Sequence, residues 1–245
     1  MKVLTIGSPT SLEEFKKKFE DPEQKIPEDS EIPNQNKSNL NKLKNDFIYI
    51  TDYEDINEKI LNENQVVFDF FLNESIDSFE IYKDQSDLII FANIPKSSLI
   101  EFKFYFGNFS PTLYGFNGLP GMINRKYLEL TASSKKDADA LNKICQELGT
   151  DYLIVDDRVG MVTPRILSMV INEAYFTVQE GTANKEDIDM AMKLGTNYPW
   201  GPFEWCQKYG VRNIYELLEA LFEDTKDERY KICPLLKREY MMELQ

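Results

Sequence analysis

The stretch that decides the reading begins Val159-Gly160-Met161-Val162-Thr163-Pro164-Arg165. It continues to Glu180-Gly181-Thr182-Ala183-Asn184-Lys185-Glu186-Asp187-Ile188-Asp189 and closes with Leu194-Gly195-Thr196-Asn197-Tyr198-Pro199-Trp200-Gly201-Pro202-Phe203-Glu204-Trp205. Thr163 is a good helix N-cap, and Pro164 suits the first helical position, where no N–H is needed. Ile166, Val170, Ala174 and Val178 recur every fourth residue, which predicts one stripe facing a core. Gly181 suits a left-handed C-cap. Asn184 then caps a second helix, with Asp187 in its first turn and Lys193 near its end. That helix is expected to stop at Leu194-Gly195, and Pro199 and Pro202 stiffen the turn that follows.

Composition bounds what the chain can do. Its 245 residues are enough for two modest domains with a real core. No apolar run approaches a membrane span, and Met1-Lys2-Val3-Leu4-Thr5-Ile6-Gly7 has too short an apolar core for a signal peptide. Cys145, Cys206 and Cys233 are odd in number and widely spaced, so neither a disulfide framework nor a metal cluster is expected. The expected compartment is a reducing cytoplasm. A formal charge of −14 argues against nucleic acid and anionic membranes as partners. There is no histidine, which excludes histidine-based proton transfer, histidine metal ligands and histidine-activated nucleophiles.

Before the helical stretch, strands and helices alternate. Residues 3–7 read as a first strand ending in Gly7. Ser11-Leu12-Glu13-Glu14 reads as a capping box that opens a helix through Phe19. Strand, glycine turn and helix begin a dinucleotide-binding unit of the Rossmann type. The phosphate loop is degenerate, however: where Gly-x-Gly-x-x-Gly is needed, the chain has Gly7, Pro9 and Leu12. Residues 21–45, with Pro22, Pro27 and Pro33, read as an extended insertion. Phe47 to Thr51 forms the next strand, and Asp52 at its end stands where this fold holds an adenosine ribose. A short helix over 55–61 follows, then a buried strand over 65–71 and another over 87–92. Phe102 to Phe109 reads as core or strand. Later come a strand near Thr112–Phe116, another at Leu128-Glu129-Leu130-Thr131, an amphipathic helix over 133–148 and a last strand over 151–156. An amphipathic helix over 214–222 follows, and then a basic segment over 234–242.

The strings Lys185-Glu186-Asp187-Ile188-Asp189 and Tyr198-Pro199-Trp200-Gly201-Pro202-Phe203-Glu204 resemble the C-terminal domain of the L-3-hydroxyacyl-CoA dehydrogenases of fatty-acid β-oxidation. Thr112-Leu113-Tyr114-Gly115-Phe116-Asn117-Gly118-Leu119-Pro120 is similar to that family's catalytic strand. The resemblance implies a reduced α/β Rossmann-like domain over 1–156 and an all-α, dimer-forming domain over 157–245. It implies NAD as cofactor, held at Gly7 and Asp52, and an acyl-CoA-like small molecule as ligand. It places Ser97 and Asn117 on the substrate. Glu129 matches the glutamate that orients the family's catalytic histidine. Tyr114 stands where that histidine belongs, and Pro164 where the family has a substrate-contacting asparagine. A charged helical hairpin that helps hold coenzyme A is missing before Gln65.

These departures bear on the chemistry. The family reaction needs a base that titrates near neutral pH as hydride leaves for NAD. A tyrosine with a pKa of about 10 is ionised in only about one molecule in a thousand at pH 7. No Tyr-x-x-x-Lys pair exists to lower it, and a nearby Glu129 would raise it. Glu129 itself is the remaining candidate base. The expected remnant of the site is a crevice lined by Tyr114, Asn117, Glu129 and Pro164. The expected function is a family-related binding or assembly protein that forms a homodimer through its helical domain. The alternative is an active NAD-dependent dehydrogenase with a non-histidine base.

Overall fold

The structure, a computed structural model, describes residues 1–20 and 45–244. Most of the extended insertion read over 21–45 therefore lies outside the described residues. The chain divides into two compact units, Met1–Arg158 and Val159–Gln245. Among the described residues, no helix is long and apolar enough to cross a membrane.

The first unit is an α/β domain on a seven-stranded sheet. Its strands are β1 (Lys2–Ile6), β2 (Asp46–Ile50), β3 (Val66–Asp69), β4 (Ile89–Asn93), β5 (Thr112–Phe116), β6 (Tyr127–Ala132) and β7 (Asp151–Ile154), in the order β2-β1-β3-β4-β5-β6-β7. The first five run parallel; β6 reverses against β5, and β7 runs parallel to β6. The central strands β1, β3 and β4 are mostly apolar and buried, with Thr5, Asp69 and Asn93 as buried polar exceptions. Helices α1 (Pro9–Phe19) and α4 (Lys135–Leu148) pack on one face; the short α2 (Glu58–Glu63) and α3 (Leu99–Phe106) come between them in the chain. Phe15 of α1 and Leu141 and Cys145 of α4 join Phe68, Phe91, Tyr114, Phe116, Leu128 and Leu130 in one core cluster. Phe68 and Phe91 stack at 4.4 Å.

Three local expectations need correction. Helix α1 starts two residues before Ser11, because Pro9 takes the first turn and Ser8 accepts the Ser11 N–H at 3.2 Å as the cap. The stretch at Phe102 is helical rather than strand. Phe102 and Phe106, one turn apart, pack on Phe79 at 5.1 Å each. The carboxylate of Asp157 receives the Leu99 and Ile100 N–H groups at the helix start, and Gly107 ends it at φ 65°. The short helix expected over 55–61 lies at Glu58–Glu63, capped by Asn57, after a single 3₁₀ turn at Tyr53–Asp55.

The second unit is all helical: α5 (Thr163–Gln179), α6 (Lys185–Thr196), α7 (Pro202–Tyr209), α8 (Val211–Thr225) and α9 (Pro234–Glu243). The buried stripe of α5 is Leu167, Ile171, Ala174 and Tyr175, whereas Ile166 is 56% exposed. The predicted stripe is therefore rotated by about one position, and Ala174 is the one residue of it that is buried. Asn184 caps α6 as expected, accepting the Asp187 N–H at 2.8 Å. The helix runs through Gly195 and ends on Asn197 in the left-handed conformation, φ 57°.

Candidate functional site

Strand alternation decides which candidate residues meet. Tyr114 and Phe116 of β5, with Leu128 and Leu130 of β6, point into the α1/α4 core. The residues between them face the other way. A side chain at Gly115 would collide with Ile94 and with Thr131 Cγ2, 2.6 Å away. Glu129 alternates with Leu128 and Leu130, so it shares the face of Thr131. Asn117, just past β5, reaches it there: Asn117 Nδ2 donates to Glu129 Oε2 at 3.3 Å, and the Asn117 N–H donates to the Glu129 carbonyl at 3.0 Å. Asn117 is 3% exposed.

Tyr114 is thereby separated from Glu129, and its expected place in the crevice is corrected. It is 1% exposed, packs on Phe91 at 5.2 Å and donates its hydroxyl to the Asp137 carbonyl at 3.0 Å, at the start of α4. Burial, then the Asp137 charge, push its pKa up to about 12. The cause is the strand period: a residue three positions before Asn117 falls on the opposite face. Ser97 keeps its backbone in a turn, donating N–H to the Ile94 carbonyl at 3.0 Å; its buried hydroxyl has no hydrogen-bond partner, so it touches neither Asn117 nor Glu129. Pro164 is buried in the first turn of α5, in the helical unit, and has no side-chain donor to offer.

The residues at the expected cofactor position do not fit a dinucleotide. Gly7 is buried beneath Phe70; a Cβ there would lie 3.0 Å from Phe70 Cβ and 3.2 Å from its ring. The Gly7 N–H already donates to the Ile50 carbonyl at 3.1 Å, Pro9 has none, and the Ser11 N–H is taken by Ser8. Glu13 and Glu14 on α1 add negative charge that would repel phosphate. Asp52 is exposed and caps its own 3₁₀ turn, accepting the Glu54 N–H at 3.0 Å.

A cluster that sequence reading missed lies beside it. Asp69, the last residue of β3, is fully buried. It accepts the Tyr53 hydroxyl at 2.8 Å, the Tyr82 hydroxyl at 2.8 Å and the Phe71 N–H at 2.9 Å. The available signal was a lone carboxylate inside the apolar run Val66–Phe71, which demands buried donors. Burial raises its pKa to about 6, with the four hydrogen bonds from Tyr82, Tyr53, Phe71 and Leu72 pulling the other way. The folded pKa exceeds the ordinary carboxylate value, so the fold favours the protonated form. This contribution is fully present below about pH 4 and is lost as pH rises through about 6, a swing of roughly 3 kcal/mol. Asp69→Asn is therefore expected to gain stability relative to the parent between pH 4 and 7, read as the difference in thermal midpoints. A pH-independent difference would refute it.

In the helical unit, the quoted strings have a structural meaning. Asp189, 8% exposed on α6, accepts the Phe203 N–H at 2.8 Å and the Glu204 N–H at 3.2 Å, capping α7. Glu204 accepts the Gly201 N–H at 2.8 Å and pairs with Lys193 at 2.5 Å. Arg165 donates to the Tyr230 hydroxyl at 2.7 Å and to the Val159 carbonyl, tying the start of the unit to its end.

Comparison with known proteins follows the same division. Residues 160–243 match the family model described as 3-hydroxyacyl-CoA dehydrogenase, C-terminal domain. The 3-hydroxyadipyl-CoA dehydrogenase of Escherichia coli (strain K12) is 42% identical over 98 residues, covering 40% of this chain and 21% of that protein. The 3-hydroxybutyryl-CoA dehydrogenase of Clostridioides difficile is 27% identical over 205 residues, covering 77% of this chain and 68% of that protein. The matched region spans less than half the length of several curated relatives, among them 44% of a probable 3-hydroxybutyryl-CoA dehydrogenase of Bacillus subtilis (strain 168). The crystal structure of a (S)-3-hydroxybutyryl-CoA dehydrogenase from Ralstonia eutropha shares the fold, with a TM-score of 0.69 over 99% of this chain and 94% of that one at 19% identity.

Proposed function

The chain belongs to the 3-hydroxyacyl-CoA dehydrogenase family, and from that premise we propose that it has left hydride transfer behind and acts as a binding or assembly protein that pairs with a second copy through its helical unit. One observation carries this reading. The residue at the base position, Tyr114, is a core side chain with its hydroxyl bound to backbone and its pKa raised to about 12. A base that is protonated at neutral pH and walled off from Glu129 cannot take the hydroxyl proton of a 3-hydroxyacyl substrate. With no histidine in the chain, no imidazole can take its place.

The helical unit supports the pairing role. It carries the clearest family signature, and its surface leaves apolar side chains unburied: Met190 and Leu194, one turn apart on α6, are 56% and 81% exposed. The retained Asn117–Glu129 contact favours a second reading, in which Glu129 is the base of an active NAD-dependent enzyme on an acyl-CoA-like ligand. Two measurements separate the readings. NADH oxidation with acetoacetyl-CoA at high protein concentration is expected to stay at background for the parent and for Glu129→Gln alike. Turnover that Glu129→Gln abolishes would sink the proposal. Light scattering after size exclusion is expected to show a dimer, weakened by Leu194→Asp; a monomer at all concentrations would remove the assembly role.

A further inference from the structure

We propose that the crevice between β1 and β3, where a doubly wound fold takes its dinucleotide, is filled in this chain by its own Phe70 side chain, so that the N-terminal unit folds without a nicotinamide cofactor. This deepens the reading above by naming what replaced the cofactor. It does not depend on the pairing role, which the oligomeric state tests separately.

In an open α/β sheet, ligands settle outside the carboxyl ends of the strands, where the strand order reverses. Here the order β2-β1-β3 reverses between β1 and β3. Gly7 and Phe70 are the residues immediately past those two strands. They are also in direct contact. The Phe70 ring lies 3.2 Å from where a Gly7 Cβ would sit, and the Phe70 N–H donates to the Ile6 carbonyl at 2.9 Å. The ring extends edge-on to Phe15 at 6.4 Å and to Phe116 at 5.0 Å, so it bridges α1 and β5 and is 5% exposed.

Both flanks hold the plug in place. On one side, Asp69 is fixed by Tyr53 and Tyr82 and receives the Phe71 N–H. On the other, Asn93 Nδ2 donates to the Phe70 carbonyl at 3.1 Å while Asn93 Oδ1 accepts the Gly118 N–H at 2.8 Å. This accounts for a glycine surviving in a turn whose phosphate chemistry is gone. A dinucleotide fold needs glycine there for close approach of a pyrophosphate; this chain needs it for close approach of a phenyl ring. A dinucleotide entering the crevice would have to turn a buried phenylalanine into water, which alone forfeits about a hundredfold in affinity.

The test combines a double-mutant cycle with a cofactor titration, both on the whole chain. Gly7→Ala and Phe70→Ala are each expected to lower the thermal midpoint. The double variant is expected to be less damaged than their sum, by about fivefold or more in the unfolding equilibrium, because removing the ring makes room for the new methyl. Where Phe70→Ala does not fold, Phe70→Leu takes its place in the cycle. NAD or NADH at about 1 mM is expected to leave the parent midpoint and the NADH fluorescence unchanged. Additive effects of the two substitutions would overturn the proposal, and so would a midpoint raised by NADH.

Discussion

Asp189→Ala is expected to lower the thermal midpoint of the chain by roughly 5–15 °C, followed by circular dichroism. The buried carboxylate spans the first turn of α7 and takes two of its unpaired N–H groups, from Phe203 and Glu204. Removing it leaves both donors without their acceptor, at a cost of about 2–4 kcal/mol, more than an exposed cap because the site is nearly closed to water. Asp189→Asn keeps one acceptor oxygen and should fall between parent and alanine. The same contact predicts that Gly201→Ala is severe, since its Cβ would sit 2.2 Å from Asp189 Oδ1. A shift under about 2 °C for Asp189→Ala would mean that solvent, rather than the carboxylate, serves the start of α7.

Restoring the family histidine should not restore the family reaction. Tyr114→His is expected to leave NADH oxidation with acetoacetyl-CoA at background and to destabilise the chain by about 3 kcal/mol. The new imidazole would lie among Phe91, Phe116 and Leu141, on the face of the sheet away from Glu129. It would lose the aromatic contact with Phe91 and bring a polar ring into an apolar core. Tyr114→Phe, which gives up only the bond to the Asp137 carbonyl, should cost about 1 kcal/mol. Activity in Tyr114→His would show that β5 can present this position to the opposite face, against the register Tyr114↔Ala132 and Phe116↔Leu130.

Much of the fold was legible because its signals are local. Strand runs such as Val66–Asp69 and caps such as Asn184 before Lys185 act within a few residues, and the structure places them close to where periodicity does. The errors have causes beyond the local pattern. Phe102 to Phe109 is apolar at both strand and helix spacing, and the deciding partner is Asp157, far along the chain, whose carboxylate caps the helix. On α5 the fourfold spacing points to Ile166, Val170, Ala174 and Val178, whereas Leu167, Ile171, Ala174 and Tyr175 do the packing.

The sequence by itself determined the family, the two-part architecture and the absence of a histidine base, since each rests on residue identity and short spacing. The tertiary structure alone decided the fate of the site. Whether Tyr114 faces Glu129 depends on which way β5 turns relative to β6. Whether Gly7 meets a phosphate or a phenyl ring depends on β3 lying beside β1 and delivering Phe70 there. Both are pairings between distant strands, and a one-residue change of register reverses every side chain.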